Sequence, residues 1–130
     1  MDRRLISALC LMLWPLSAQA GSVADQIAAY EAAAGGPADL AAGKALFHAE
    51  HSGGKPDTPS CLTCHGSDLT KEGRLRTGKT IAPMAPSVQP DRYTDPEKVE
   101  KWFGRNCTSV LGRECTAAEK RDLLAWLASL

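Results

Sequence analysis

The sequence lacks a long apolar run, an excess of charge of either sign and a large set of aromatic side chains. Lys and Arg total 15 and Asp and Glu total 15, and a chain without a basic excess is not typical of nucleic-acid binding. Aromatic residues make up only 5% of the 130 residues, so the core that the side chains alone can build is small. Internal repeats and the alternating pattern of β-strands are also missing. These absences favour one small helical domain.

The longest apolar run, residues 5–16, is shorter than the about 20 residues that cross a bilayer. It follows two arginines and precedes Ala18-Gln19-Ala20, which is the arrangement of a cleavable secretory signal. We therefore expect residues 1–20 to be a signal peptide and residues 21–130 to form one periplasmic domain. Its charge would be 13 − 14, or −1, and its compartment would be oxidising.

Helical patterns cover much of the mature sequence. Apolar spacing, Gly and Pro breaks and N-cap residues predict helices over 23–34, 38–50, 95–106 and 117–130. The side chains expected to face the core include Leu40, Phe47, Val99, Trp102, Phe103, Leu123, Trp126 and Leu127. Residues 66–95 are expected to be loop because Gly and Pro recur there. Loops of this length are uncommon in a compact domain. We therefore expect an all-α fold of four or five helices around a central cofactor.

The segment Cys61-Leu62-Thr63-Cys64-His65 matches C-x-x-C-H, the pattern of covalent haem attachment. Two thiols at this spacing can form thioethers with two haem vinyl groups, and the next imidazole then becomes an axial ligand. The motif occurs once and predicts one covalent haem c, with His65 as proximal ligand. Two alternatives are a redox cysteine pair, which lacks its usual βαβ context, and a zinc site with Cys107 and Cys115, which leaves His65 without a role.

The residues alone leave the second axial ligand open. Met84 is the one methionine outside the signal peptide, and Met/His ligation is typical of electron-transfer cytochromes. It lies early in the chain, however, and the segment before the last helix instead holds Cys107 and Cys115, which we expect to form a disulfide in an oxidising compartment. The other candidate ligands are His48, His51 and Lys79.

Two stretches resemble class I cytochromes c. Gly43-Lys44-Ala45-Leu46-Phe47 is similar to their N-terminal helix, in which the glycine permits close contact with the C-terminal helix. Leu123-Leu124-Ala125-Trp126-Leu127 is similar to that partner helix. The resemblance implies a class I cytochrome c fold.

Nearly the whole mature chain resembles the sphaeroides haem protein family, a group of high-spin class I cytochromes c. The matching stretches are residues 30–35, 53–61 and 90–95 and Gly104-Arg105-Asn106-Cys107 with the paired-cysteine segment. The resemblance implies that Asn106 is the distal ligand of ferric haem. The family has Leu at the position of Met84, and this departure keeps Met84 as the alternative ligand.

The resemblance also implies a function. A periplasmic cytochrome of this family would take part in electron transfer and bind O2 or NO when Asn106 leaves on reduction, because an amide oxygen is a weak donor to ferrous iron. The implied electron donor is a dihaem cytochrome c or a membrane cytochrome b, and we expect a monomer or a weak dimer. An oxygen- or nitric-oxide-linked oxidoreductase activity is left open. The alternative function is simple electron transfer with His65 and Met84 as ligands.

Overall fold

The computed structural model describes residues 21–130, and the predicted signal peptide, residues 1–20, lies outside the described residues. Helices and one short hairpin follow each other along this part of the chain. They are α1 Val23–Ala34, α2 Leu40–His48, α3 Leu62–His65, β1 Gly73–Arg74, β2 Thr80–Ile81, α4 Pro96–Leu111 and α5 Ala117–Ala128. The strands pair antiparallel, with Gly73 opposite Ile81. From residue 21 onward, no helix has the length and hydropathy that crossing a membrane requires.

The helix starts follow from local hydrogen bonding. α5 begins with a capping box in which Thr116 and Glu119 satisfy each other's backbone N–H groups, as the sequence predicts. α4 begins after the N-cap Asp95 with proline at its first position, also as predicted. α1 has a capping box of its own, formed by Ser22 and Asp25, which the sequence interpretation missed.

α1 and α2 both pack against α5. A Cβ atom built on Gly43 of α2 would lie 2.1 Å from the carbonyl oxygen of Asp122, so the two backbones meet where only glycine fits. This confirms the prediction that Gly43 permits close contact with the C-terminal helix. The buried core cluster consists of Phe47, Leu69, Cys107, Cys115, Leu123, Trp126 and Leu127.

α4 is longer than predicted. It ends at Leu111 rather than near residue 106, because Gly104 is accommodated within the helix and the first glycine to adopt the left-handed conformation is Gly112, at φ 74°. Cys107 therefore lies within a helix and not in a loop. The expectation of loop over 66–95, with at most one short helical turn, is also wrong in part, since β1 and β2 form a hairpin there, with two residues in each strand.

Two of the predicted core side chains are exposed. Trp102 is 44% exposed, because the buried side of α4 is formed by Val99, Cys107 and Val110. Trp102 precedes the half-buried Phe103 by one residue, which turns it about 100° around the helix. Leu40, the first residue of α2, is likewise 44% exposed.

Glu119 makes the stability of the α5 start depend on pH. Its carboxylate accepts two hydrogen bonds from Arg113 and one from the Thr116 N–H, each at 2.8 Å. The Arg113 hydrogen bond is the largest cause that lowers the pKa of Glu119 to about 2. Because this pKa is below the unfolded value of about 4.3, the stabilisation is complete above that pH and is lost as the pH falls towards 2.

We expect Glu119→Gln to lower the free energy of unfolding by about 1 kcal/mol at pH 7, since solvent screens a pair near the surface. Glutamine retains the capping box, so the loss isolates the charge. Urea unfolding of both proteins between pH 7 and pH 3 should show the difference shrinking below pH 4.5. A difference that stays constant over this range would contradict the assignment.

Candidate functional site

The C-x-x-C-H segment forms the short helix α3. Cys61 is its N-cap, and Gly66 ends it in the left-handed conformation at φ 71°. The thiols of Cys61 and Cys64 are free, and a spacing of three residues places them on the same side of one helical turn. Burial raises the pKa of the Cys61 thiol to about 11. Because of their spacing, both thiols can bond to the same molecule.

His65 is a partly buried, neutral imidazole. Burial is the main cause that lowers its pKa to about 4, and the positive charge of Arg92 contributes to the same shift. One ring nitrogen, Nδ1, is buried without a hydrogen-bond partner among residues 21–130. Leaving such an atom unpaired costs about 1–3 kcal/mol. A neutral imidazole with an unpaired nitrogen is suited to bind a metal.

The segment 82–85 is held beside this site by residues that the sequence interpretation missed. The Arg92 Nε donates to the Pro83 carbonyl at 2.6 Å, and the Tyr93 hydroxyl donates to the Met84 carbonyl at 2.8 Å. Tyr93 adopts φ 66°, a conformation rarely used by a bulky side chain, and its own carbonyl accepts from Gln26 at 2.6 Å. Two adjacent side chains therefore fix the backbone that carries Met84.

The alternative ligands lie in different environments. Met84 is partly buried and packs against the core cluster. The His48 Nδ1 lies 2.9 Å from the Lys44 carbonyl oxygen, and the His51 Nε2 lies 3.2 Å from the Leu46 carbonyl oxygen. Each imidazole therefore contacts a backbone carbonyl that is close to it in the sequence. Lys79 is exposed on the hairpin.

Asn106 lies inside α4, five residues before its end, so it does not cap the helix. Its side chain is exposed, whereas the neighbouring Cys107 is buried. It lines an open cleft of about 500 Å³ together with Lys55, Gly104, Arg105, Thr108 and Ser109. The exposed Asn106 amide can therefore contact a group bound in this cleft, and solvent and small molecules can also enter the cleft.

A disulfide joins Cys107 of α4 to Cys115, directly before the α5 capping box, with Cα atoms 5.6 Å apart. Because these sulfurs are bonded to each other, the four-cysteine zinc alternative is wrong. Within residues 21–130, no group of three or more Cys, His, Asp or Glu side chains could hold a metal ion.

The other side of the α4 C-terminus is fixed by the chain that leads to Cys61. A Cβ atom on Gly54 would lie 2.2 Å from the Ser109 carbonyl oxygen, so this chain crosses α4 at backbone contact. The Lys55 N–H donates to the same carbonyl at 2.8 Å, and the Thr58 and Ser109 hydroxyls are 3.0 Å apart. This contact was not predicted from the sequence, although the Gly53-Gly54 pair could have indicated it. α4 is held on both sides next to Asn106.

A helical domain that presents two free thiols and a partly buried neutral imidazole on one turn defines a class of protein, the c-type cytochromes. The family model described as Domain of unknown function (DUF1924) matches residues 33–127. Over 126 residues the chain is 59% identical to Cytochrome c-type protein SHP of Cereibacter sphaeroides, covering 97% of this chain and 98% of that protein. The chain belongs to the SHP family.

Solved structures show the same relationship. The structure described as oxidized SHP, an oxygen binding cytochrome c, matches with a TM-score of 0.83 and 65% identity over 84% of this chain and 97% of that one. Oxidized cytochrome c'' from Methylophilus methylotrophus matches with a TM-score of 0.71 and 28% identity, over 82% of this chain and 93% of that one.

These relatives confirm two predictions, the all-α class I cytochrome c fold and the cofactor, one covalent haem c. The residues present fit that group. The His65 Nδ1 has no hydrogen-bond partner among residues 21–130, so the imidazole is not fixed to another group through that atom, and two free thiols accompany it on the same helical turn. When bound, haem supplies an iron that changes between ferric and ferrous states and accepts a ligand on each face.

Proposed function

We propose that this chain is a periplasmic monohaem cytochrome c that takes part in electron transfer and binds small diatomic ligands when Asn106 is released on reduction. The observation that carries the proposal is the placement of Asn106: a weakly donating amide, open to solvent, on a helix fixed at both sides by the Cys107–Cys115 disulfide and the Gly54 contact. The relative described as an oxygen binding cytochrome c supports it.

The proximal side is assigned to α3. Cys61 and Cys64 form the two thioether bonds, and His65 binds the iron through a ring nitrogen. The low pKa of His65 keeps its imidazole neutral, as ligation requires. The core aromatics close this side, since the Phe47 and His65 ring centroids are 5.9 Å apart.

The distal side is assigned to Asn106. An amide oxygen is a hard, neutral donor that suits ferric iron and binds ferrous iron poorly. With haem bound, a ferrous iron would hold the Asn106 oxygen less strongly, and the Asn106 NH₂ group could donate a hydrogen bond to O2 or NO. The anchored helix keeps Asn106 close after release, so the amide returns on oxidation.

Met84 provides a second candidate function, simple electron transfer with His65 and Met84 as ligands. The observation in its favour is that Met84 is partly buried against the core cluster, with its backbone fixed by Tyr93. The same packing also suits an apolar contact to the haem.

Residues 1–20 are assigned to a cleaved signal peptide and 21–130 to the cytochrome domain. A periplasmic location agrees with the Cys107–Cys115 disulfide, because such bonds persist in oxidising compartments. The proposed electron donor is a dihaem cytochrome c or a membrane cytochrome b, and the proposed state is a monomer or a weak dimer.

Absorption spectra of the purified holoprotein test the function. We expect a high-spin ferric spectrum, and a ferrous form that combines with carbon monoxide within the mixing time of a spectrometer cell. Met84→Leu should behave like the parent. A ferric methionine–iron charge-transfer band together with a ferrous form inert to carbon monoxide would contradict the proposal and support the second candidate.

A further inference from the structure

The solvent side of α4 carries three cations and a tryptophan in one row, Lys98, Lys101, Trp102 and Arg105, which we call the basic stripe. Lys101 and Trp102 each lie three or four residues from both Lys98 and Arg105, so the four share one broad side of the helix, and all four are exposed. Residues 21–130 hold 13 basic and 14 acidic residues, a net charge of −1, so a row of three cations is a local excess of positive charge.

The cations of the basic stripe are free to meet a partner. None of them forms an ion pair within residues 21–130. Glu97 precedes Lys101 by four residues without pairing to it, and Glu100 is bound to Lys120 at 2.7 Å on another face. The Arg105 guanidinium lies 5.6 Å from the centre of the Trp102 ring. Arg and Trp are the residue types that most often dominate protein–protein binding energies.

The basic stripe leads to the proposed distal ligand. Trp102 precedes Asn106 by one helical turn, and Arg105 and Asn106 line the same cleft. A protein that covers the stripe therefore comes within one turn of the group that must leave when the haem is reduced.

We propose that the basic stripe is the docking surface for an acidic redox protein that reduces this cytochrome. The inference rests on the proposed function. One electron passes from the reduced donor to the ferric haem, so the donor is oxidised, the haem is reduced, and Asn106 leaves as a neutral amide without a proton. The cations attract the donor, and Trp102 is its apolar contact.

A second basic surface serves as the comparison. The hairpin region exposes Lys71, Arg74, Arg76 and Lys79. Arg76 is already paired with Asp57 at 2.9 Å, and the exposed apolar side chain there is Leu75 rather than an aromatic. This surface matches the charge of the basic stripe but lies on a different element from Asn106.

The experiment measures reduction by flavodoxin hydroquinone, an acidic one-electron donor protein, in a stopped-flow spectrometer at increasing salt. We expect the triple variant K98E/K101E/R105E to be reduced about tenfold more slowly than the parent at low salt, and to lose the decrease in rate that salt causes in the parent. Trp102→Ala should slow reduction at all salt concentrations. The matched control, K71E/R74E/K79E, makes the same charge change on the hairpin and should stay within about twofold of the parent.

Equal slowing of both triple variants would assign the effect to net charge and overturn the proposal. Slowing of the hairpin variant alone, or no slowing of either variant, would also overturn it. Salt-sensitive flotation with anionic vesicles, lost only in K98E/K101E/R105E, would overturn it in favour of a membrane surface. Dithionite reduction and ferrous carbon monoxide binding should be the same in the parent, in K71E/R74E/K79E and in K98E/K101E, which leaves the cleft residue Arg105 in place. If the parent itself does not bind carbon monoxide, the proposed function fails independently of the docking result.

Discussion

Replacing Cys61 and Cys64 by serine is expected to abolish covalent haem attachment and to leave most of the exported chain unfolded. Both thiols are free on one turn of α3, and no other free cysteine lies within residues 21–130. Without attachment, His65 keeps a buried Nδ1 that has no hydrogen-bond partner. Aromatic residues are only 5% of the chain, so the core depends on the apolar mass of the haem.

The measurements are in-gel haem staining, acid–acetone extraction and circular dichroism of periplasmic fractions. The matched control also removes two cysteines, Cys107→Ser with Cys115→Ser. It should keep its covalent haem and lose only about 2–3 kcal/mol of stability, since the disulfide closes a short loop. Haem that resists extraction from the Cys61→Ser, Cys64→Ser protein would contradict the assignment of the motif.

Features that depend on neighbouring residues could be predicted from the sequence. The range of α1, the capping box of α5 and the Asp95 start of α4 all follow from contacts within a few residues. The haem motif is local in the same sense, because one turn contains both thiols and the imidazole. Gly43 is an exception, since its contact with Asp122 spans the fold, and the family resemblance was needed to predict it.

Features that depend on the path of the whole chain were missed. Residues 107–111 were predicted to be a loop because Cys107 and Cys115 are spaced as a disulfide-closed loop would be. The disulfide also forms, however, when its first cysteine lies in a helix that runs to Leu111 and ends at Gly112. The contact of Gly54 with Ser109 joins residues 55 positions apart along the chain (109 − 54), so no local pattern reveals it. Arg92 and Tyr93 act on the site through backbone carbonyls that any residue could supply.

These long-range contacts decide how Asn106 can act. A weak ligand on a mobile loop would exchange with water in either oxidation state. Because the disulfide holds one side of α4 and the Gly54 contact holds the other, the proposed bond between Asn106 and the iron would depend on a fixed position of the side chain, even though the amide is a weak ligand. We therefore expect the character of the distal side chain, and not the rigidity of the helix, to set the ligand chemistry.

Asn106→Met is expected to convert the protein into an electron carrier closed to small ligands. A thioether suits ferrous iron, so the variant should be low-spin in both states, with a raised reduction potential and carbon monoxide binding slowed by at least about a hundredfold. Asn106→Ala should do the opposite: haem stays attached, the ferric spectrum changes, and cyanide binds the ferric form faster because no side chain has to leave.

Stopped-flow mixing and ferric electron paramagnetic resonance distinguish these outcomes, with Met84→Leu as the control that removes the other candidate ligand. If Asn106→Ala and Asn106→Met both leave the ferric spectrum unchanged while Met84→Leu alters it, then Met84 is the ligand and Asn106 only lines the cleft. If the Asn106 variants change the spectrum and Met84→Leu does not, the exposed amide on α4 determines whether this cytochrome only carries an electron or also binds a gas.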